Sequence, residues 1–534
     1  MRFIKRLFSF ILSMFFILPS VAGAAAERIL FIPHDDRPIS YQQTVDVLRQ
    51  AGYKMIVPPQ ELLSNATSDG HPDELWQWLE KNAPDARYAV IASDSMLYGG
   101  LIPSRKHHVS QEKLTERLEK FQALRAANPS LRVYIFDSLM RTPSKGTEGD
   151  IEEPDYYGKY GTDFFLYSAL ADKQEITRLS REEKMEMDGY KKTIPSEYLE
   201  DWSFRRAKNL SATKKLMDYA RDGVIDYLIL GRDDNAPLCQ THRENREILA
   251  YATKNDLPKT KFQSMPGIDE FNLLLFTRAV NDMTKKHPSV YIGYNEGMGG
   301  DTVPAFSDEK ISASLDASLA IAGGLKVSDP AKADFVLLVN TEKNGNTLGG
   351  HNPWPDGSEF HPDLKADADT QYFADMVENL VKKGYPVGIA DIKYYNGADN
   401  ALMNLLRKKD LLFKLKAYSG WNTATNSTGF ALGTGMLAPK MKKDGMNRLL
   451  ATRYLDDWAY QANVRTIVGN ELVRRFGKPE YYISLKDKLS FAEKRNTELT
   501  RDFAKKNLPR LSILKDFKVK NPWLRMFECD IVLK

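Results

Sequence analysis

The 534-residue chain has little cysteine and no apolar run long enough to cross a membrane comfortably. Two cysteines, Cys239 and Cys529, exclude a small disulfide-stapled protein and are too few for a cysteine metal site. The main apolar run, residues 7–18, is shorter than the ~20 residues of a membrane span, so a polytopic membrane protein is excluded. With 42% hydrophobic and 27% charged residues, the chain is also neither a collagen nor a long disordered polymer.

Residues 1–26 have the pattern of a secretory signal peptide. Arg2, Lys5 and Arg6 precede the apolar run, and residues 22–24 supply small side chains for cleavage. An uncleaved membrane anchor is the alternative. We expect an exported protein, periplasmic or extracellular, with no stable membrane insertion after cleavage.

Cleavage would lower the formal charge from +4 to +1, because residues 1–26 carry three basic and no acidic side chains. A nearly neutral protein has no general field for attracting nucleic acid, so we expect no nucleic-acid partner. The chain lacks His-Glu-x-x-His, Gly-x-Ser-x-Gly and complete phosphate-binding glycine motifs. We therefore expect no cofactor, with a divalent metal as the alternative.

Short β-rich apolar segments alternate with amphipathic helical segments, which predicts an α/β fold with parallel strands. The predicted strands are residues 28–33, 54–57, 88–92, 132–136, 227–231, 290–294, 335–339 and 387–390. We expect two parallel-sheet α/β lobes plus a helical C-terminal region, and a single distorted TIM-like barrel is the alternative.

The predicted division of the chain follows these patterns. Residues 27–285 form an N-terminal lobe with a helical insertion at 142–203 that covers the site, and residues 286–435 form a second lobe. Residues 436–534 are mainly helical, with the strongest runs at 449–476 and 489–506. A segment rich in Gly, Pro and Asn, residues 344–363, predicts a loop.

Polar side chains follow strand after strand. In parallel sheets, ligands bind outside the carboxyl ends of the strands, so these side chains are expected to converge on one rim. Capping of the following helices is the alternative for each one. The strand-end residues are Asp35, Asp36, Arg37, Asp94, Asp233, Asp234, Glu296 and Asp391.

Asp233 and Asp234 form the most informative motif. Two adjacent carboxyl groups raise the pKa of one member, which supplies one acid and one base at the same pH. Such a pair serves as acid and base in some glycosidases, where one member can instead orient a 2-acetamido group. Alternatively, Asp233 pairs with Arg232 or Arg37 and Asp234 caps a helix, or the carboxylates bind Mg²⁺, Mn²⁺ or Ca²⁺.

Three further features complete the candidate site. Arg105 is expected to line the substrate subsite together with the first strand-end residues. Trp421, Asn422 and Asn426 lie in a segment rich in aromatic and amide groups, which either closes over a sugar or forms a turn around a buried Trp. Asp269 and Glu270 precede an apolar helical segment, and we expect them to cap it; the alternative is that one of them faces the cleft and supplies another carboxylate.

These features favour a hydrolase, glycosidase-like, that uses Asp233 and Asp234 as acid and base on an envelope or scavenged glycan. A divalent-metal-dependent hydrolase and a non-catalytic periplasmic solute-binding protein are the alternatives. The partner is a small molecule or glycan, and the sequence sets neither the oligomeric state nor whether Cys239 pairs with Cys529.

The chain resembles a bacterial exported family catalogued as a domain of unknown function. The resemblance rests on Asp-Asp-Arg-Pro at 35–38, Asp-Asp-Asn-Ala-Pro at 233–237, and Gly-Trp-Asn-Thr-Ala at 420–424 followed by Asn426. His34 departs from the pattern, where an apolar Leu is expected. The resemblance covers nearly the whole mature chain and implies no particular activity.

Overall fold

The computed structural model describes residues 28–349, 366–478, 481, 483–508 and 516–533. The predicted signal peptide and most of the predicted loop at 344–363 lie outside this part of the chain.

The first sheet has six parallel strands in the order β2-β1-β3-β4-β5-β6. Its central strands are buried along almost their whole length, as expected for apolar runs covered by helices on both faces. The strands are β1 (Ile29–Ile32), β2 (Met55–Ile56), β3 (Tyr88–Ala92), β4 (Arg132–Leu139), β5 (Tyr227–Arg232) and β6 (Phe262–Pro266).

Helices connect these strands, because parallel neighbours need crossover connections. The segment between β4 and β5, predicted as an insertion, carries α6, α7 and the start of α8. The helices are α1 (Gln42–Gln50), α2 (Pro72–Asn82), α3 (Ser93–Leu97), α4 (Leu101–Lys106), α5 (Gln111–Ala127), α6 (Asp155–Ile176), α7 (Arg181–Thr193), α8 (Ser196–Asp222), α9 (Gln240–Lys254) and α10 (Phe271–Thr284).

The second sheet has five parallel strands in the order β11-β10-β9-β7-β8. Two separate open sheets make up the α/β part, so the single-barrel alternative is wrong. The strands are β7 (Ser289–Tyr294), β8 (Leu325–Val327), β9 (Phe335–Asn340), β10 (Val387–Asp391) and β11 (Ala417–Ser419), and the helices are α11 (Ile311–Ile321), α12 (Ala368–Lys382), α13 (Asn400–Lys408) and α14 (Ala424–Leu437).

Helices α10 and α14 pack against each other, and one hydrophobic cluster extends through them from the first sheet to the second. Every residue of α14 is buried. A Cβ atom at Gly429 would lie 2.6 Å from Cγ of Glu270, and one at Gly435 would lie 2.0 Å from the Phe335 ring. The glycines therefore allow the backbone to approach both neighbours closely.

The C-terminal region is mainly helical and ends in an antiparallel pair of strands. The sequence predicted one helix over 449–476, whereas the structure has two α-helices joined by a π-helix, Tyr454–Val464. The remaining elements are α15 (Lys443–Arg453), α16 (Arg465–Phe476), α17 (Leu489–Asn507), β12 (Phe517–Lys520) and β13 (Asp530–Leu533). Among the described residues, no helix is both long and apolar enough to cross a membrane.

Candidate active site

A cavity of about 280 Å³ opens where the carboxyl ends of the two sheets meet. A larger depression of about 510 Å³ lies beside Asp334, at the start of β9, and none of the strand-end acids lines it. Five parts of the chain form the smaller cavity: the ends of β4 and β5, the start of the insertion, the loops of the second sheet, the segment between α16 and α17, and the loop between β12 and β13. Among its polar and aromatic side chains are Arg141, Asp150, Glu152, Asp234, Asn396, Asn422, Arg525 and Phe527.

Asp234 faces this cavity from the turn after β5. Its backbone has a φ of +41°, in the left-handed region that Asp and Asn adopt more readily than other non-glycine residues. Its Oδ2 atom accepts a hydrogen bond of 2.8 Å from Nη1 of Arg141, and 27% of the side chain is exposed. The turn thus places the Asp234 carboxyl group between the cavity and Arg141.

Burial and the adjacent Asp233 raise the pKa of Asp234 to about 6, although Arg141 and Arg105 act in the opposite direction. A carboxyl group with that pKa is partly protonated near neutral pH. It can therefore donate a proton to a ligand in the cavity.

Asp233 points to the other side of the turn, toward Arg105. Nη2 of Arg105 donates to Oδ2 of Asp233 at 2.6 Å, and Nη1 donates to Glu152 at 3.3 Å. The Arg105 side chain is only 2% exposed, so these ion pairs are shielded from solvent. The sequence predicts Arg105 in the substrate subsite, whereas its described contacts are with Asp233 and Glu152 and it does not line the cavity.

Glu152, from the start of the insertion, joins the arginines of the site. It accepts from Arg105 and Arg141 through one oxygen and from Arg525 through the other, at 2.7 Å. Burial alone would raise its pKa, but these guanidinium groups outweigh burial and hold the pKa well below its usual range. Glu152 is therefore a fixed negative charge between three positive ones.

A second network lies beside the first. Arg37 donates to both oxygens of Asp35, at 3.0 and 2.9 Å, and to Oδ1 of Asp269 at 3.1 Å. Oδ2 of Asp269 accepts from Asn422 at 3.0 Å and from Asn426 at 3.4 Å. The first strand-end motif and the amide-rich segment of the second sheet thus meet at Asp269.

The prediction that Asp269 and Glu270 cap α10 is wrong. Asp269 is engaged by Arg37 and the two asparagines, and Glu270 makes no side-chain cap hydrogen bond. Glu270 instead packs against α14, and its carboxyl group accepts a hydrogen bond from the backbone nitrogen of Ile268. Burial raises the pKa of Glu270 well above its usual range.

Asp36 connects the first strand to the C-terminal loop. Its carboxyl oxygens accept from Nε1 of Trp523 at 2.8 Å and from Gln60 at 3.1 Å. The Trp523 ring lies near the guanidinium groups of Arg37 and Arg525, at 5.8 and 5.5 Å from its centroid. Trp523 therefore links the two networks, and burial raises the pKa of Asp36.

Trp421 is buried behind the cavity. Its ring lies 5.6 Å from that of Phe527, and Phe527 itself lines the cavity. Asn422 lines the cavity directly and has a φ of +69°. The segment predicted to close over a sugar thus contributes Asn422 to the wall and Trp421 as the support of an aromatic wall residue.

Of the predicted site residues, Asp234 and Asn422 line the described cavity wall, and three others join neither network. Asp94 is buried and accepts from Ser138 at 2.7 Å, with His34 at 3.3 Å. Asp391 is buried and accepts from Asn340, Asp399 and Tyr418. Glu296 is exposed, and its backbone nitrogen donates to the side chain of Asn295.

Sequence reasoning did not include the C-terminal loop in the site. Trp523, Arg525 and Phe527 come from the loop between β12 and β13, and Arg525 contacts Glu152 from 373 positions away. The local signal is the alternation of aromatic and basic residues at 523–527. Nothing in that pattern indicates which part of the fold it joins.

Across the described part of the chain, no group of three or more His, Cys, Asp or Glu side chains is arranged to hold a metal ion. Cys239 and Cys529 are both free and buried. Cys239 caps α9 through its sulfur, and Cys529 donates to Asp456.

Comparison with known proteins gives a family. The model of the family described as "Protein of unknown function (DUF4127)" matches residues 29–532, nearly the whole chain, so the chain belongs to this family. No curated protein matches the chain.

Proposed function

We propose that this member of the DUF4127 family is a glycosidase-like hydrolase in which Asp234 is the general acid. The observation that carries the proposal is the Asp234 carboxyl group, whose pKa is raised to about 6 where it faces a cavity of about 280 Å³. A raised pKa at a cavity wall, next to a second carboxyl group, is the arrangement that glycosidic hydrolysis requires.

In the proposed reaction, Asp234 protonates the oxygen of the leaving sugar as the bond to the anomeric carbon breaks. Positive charge develops on the sugar ring, and water then adds to the anomeric carbon and returns a proton to the Asp234 carboxylate. Atoms and charges balance without a further reactant. The proton donor contributes about 10²–10⁴-fold to the rate of such reactions.

Asp233 is the second carboxyl group of the proposed mechanism. Arg105 holds its Oδ2 atom at 2.6 Å, on the other side of the turn from Asp234. From this position Asp233 acts through the proton donor, because its negative charge raises the pKa of Asp234.

The remaining wall suits a sugar. Phe527 offers an aromatic ring supported by Trp421, and Asn396 and Asn422 offer amide groups. The volume of about 280 Å³ is close to the lower end of small-molecule pockets, ~300–1,000 Å³, and favours a short glycan unit. With the predicted export signal, the proposed substrate is an envelope glycan or one scavenged outside the cell.

A glycan screen on the wild type and Asp234→Asn tests the proposal. We expect cleavage of at least one aryl-glycoside or natural glycan by the wild type, with about 10²–10⁴-fold slower turnover in the variant. Asp188→Asn, an exposed acid on α7, is the control for a lost negative charge.

Two outcomes would contradict the proposal. Ligand-induced thermal stabilisation without turnover would favour a solute-binding protein. Metal in the purified protein, with activity lost in EDTA and restored by Mg²⁺ or Mn²⁺, would favour a metal-dependent hydrolase.

A further inference from the structure

In both arginines of the described cavity wall, all three guanidinium nitrogens contact carboxylates. Arg141 uses its three nitrogens on Glu153, Asp234 and Glu152, at 2.6, 2.8 and 2.9 Å. Arg141 and Arg525 are the only cationic side chains among the described residues that line the cavity.

Arg525 is occupied in the same way. Two of its nitrogens donate to Glu528 at 2.6 and 2.8 Å, and the third donates to Glu152 at 2.7 Å. Each guanidinium group keeps two further N–H groups, but its charge is already balanced by the carboxylates around it. An anionic ligand would therefore meet little net positive charge at either arginine.

The wall also carries a carboxylate with no close cationic partner. Among the described residues, the one ion-pair contact of Asp150 is with Arg141 at 3.8 Å, and its other oxygen accepts from the backbone of Glu152. Asp150 is 31% exposed and lines the cavity. With Asp234 protonated, Asp150 and Glu152 balance the two arginines of the described wall. Glu153 and Glu528 pair with the same arginines, so the surroundings of the cavity hold more acidic than basic groups.

From this charge distribution we infer that the preferred substrate carries a positively charged amine, as in an amino sugar without its acetyl group. Asp150 is the specificity-determining residue that pairs with the ammonium group. Negatively charged sugars such as uronic acids are rejected, because the cavity surroundings are acidic and the charge of both arginines is already balanced by carboxylates. The inference rests on the proposed function, since it places the sugar in the cavity beside Asp234.

Binding of three matched ligands tests the inference: the methyl glycosides of glucosamine, N-acetylglucosamine and glucuronic acid. They present an ammonium, a neutral amide and a carboxylate on similar rings. Affinities are measured by ligand-observed NMR at pH 6 and at two salt concentrations, because an exposed ion pair weakens as salt rises. We expect the amine to bind about fivefold more tightly than the neutral ligand, and the uronate most weakly.

Asp150→Asn is expected to remove this preference by lowering amine affinity about fivefold while leaving the neutral ligand unchanged. Asp188→Asn, an acid of equal charge on the exposed surface, is expected to change neither affinity. The inference is overturned if the amine does not bind, if it binds no better than the uronate, or if both variants behave alike.

The two proposals fail separately. If the wild type cleaves neutral or acidic glycans and Asp234→Asn does not, without a preference for amines, the substrate class is wrong and the hydrolase remains. If amines bind preferentially and no glycan is cleaved, the charge inference remains and the hydrolase is wrong.

Discussion

Replacing Arg105 by Met is expected to destabilise the protein strongly, because Arg105 neutralises buried carboxylates. Its guanidinium group contacts Asp233 at 2.6 Å, Glu152 at 3.3 Å and Glu153 at 3.7 Å. Met fills much of the same volume, so the change removes mainly charge and hydrogen bonds.

Breaking a buried ion pair from one side usually costs about 3–5 kcal/mol. Asp233 is 18% exposed, and Arg141 still neutralises Glu152, so we expect the lower part of that range, about 3 kcal/mol. For large domains, about 3 kcal/mol corresponds to a Tm lower by ~6–12 °C. Differential scanning calorimetry at pH 7.5 measures the shift.

A second arginine serves as the matched control. Arg132 donates to Asp226 at 2.7 Å, but its side chain is 61% exposed. Arg132→Met is therefore expected to lower the free energy of unfolding by less than about 1 kcal/mol.

A double variant completes the design. Arg105→Met leaves the Asp233 carboxylate without its partner, and adding Asp233→Asn removes that unpaired charge. The double variant is therefore expected to recover about half of the decrease in Tm, because substitutions of residues in contact are not additive. Equal Tm losses at Arg105 and Arg132, or no recovery in the double variant, would refute the assignment of a buried, charge-matched network.

Two further predictions concern protonation in the folded protein. Burial raises the pKa of Glu270 and favours its protonated form, so Glu270→Gln is expected to change the free energy of unfolding by less than about 1 kcal/mol. Glu152→Gln removes the negative charge between three arginines and is expected to lower the free energy of unfolding by about 3 kcal/mol. Urea titrations at pH 7 measure both values. Burial, with neighbouring aspartates, raises the pKa of Asp137, Asp391 and Asp457 to about 7. The folded protein therefore holds protons that the unfolded chain releases near pH 4, and its stability falls as the pH rises toward and through 7. We expect the free energy of unfolding to fall by about 1–2 kcal/mol per group between pH 5.5 and 8. A Tm at pH 8 equal to or higher than that at pH 5.5 would contradict this.

The main strands could be predicted because their signal is local. The strand at 88–92 matches β3 residue for residue, and those at 227 and 387 end one residue early. Five strands were missed: β6, β8 and β11 of the parallel sheets, and the antiparallel pair β12 and β13. The first three are short or carry polar residues such as Gln263 and Ser264, so their strand signal is weak and their pairing depends on neighbouring strands.

The site was predictable where it follows predicted strand ends and in the aromatic and amide-rich segment that contains Asn422. Asp234, Asp233 and Arg37 were found because parallel strands bring their carboxyl ends to one rim. The contacts of Arg525 and Trp523 depend on where the C-terminal loop packs, which no local pattern encodes. Asp391 ends a strand by the same rule, yet it binds Tyr418 and backbone in the interior, because strand-end position does not decide between a ligand site and an internal tether.

The proposal that Asp234 is the general acid depends on the pKa of this carboxyl group, which can be measured directly. Carboxyl ¹³C NMR of aspartate-labelled protein, with Asp234→Asn to assign the resonance, follows this group without any substrate. We expect a resonance that titrates near pH 6 in the wild type and is absent from the variant. Titration near pH 4, the ordinary value for an aspartate, would contradict Asp234 as the proton donor.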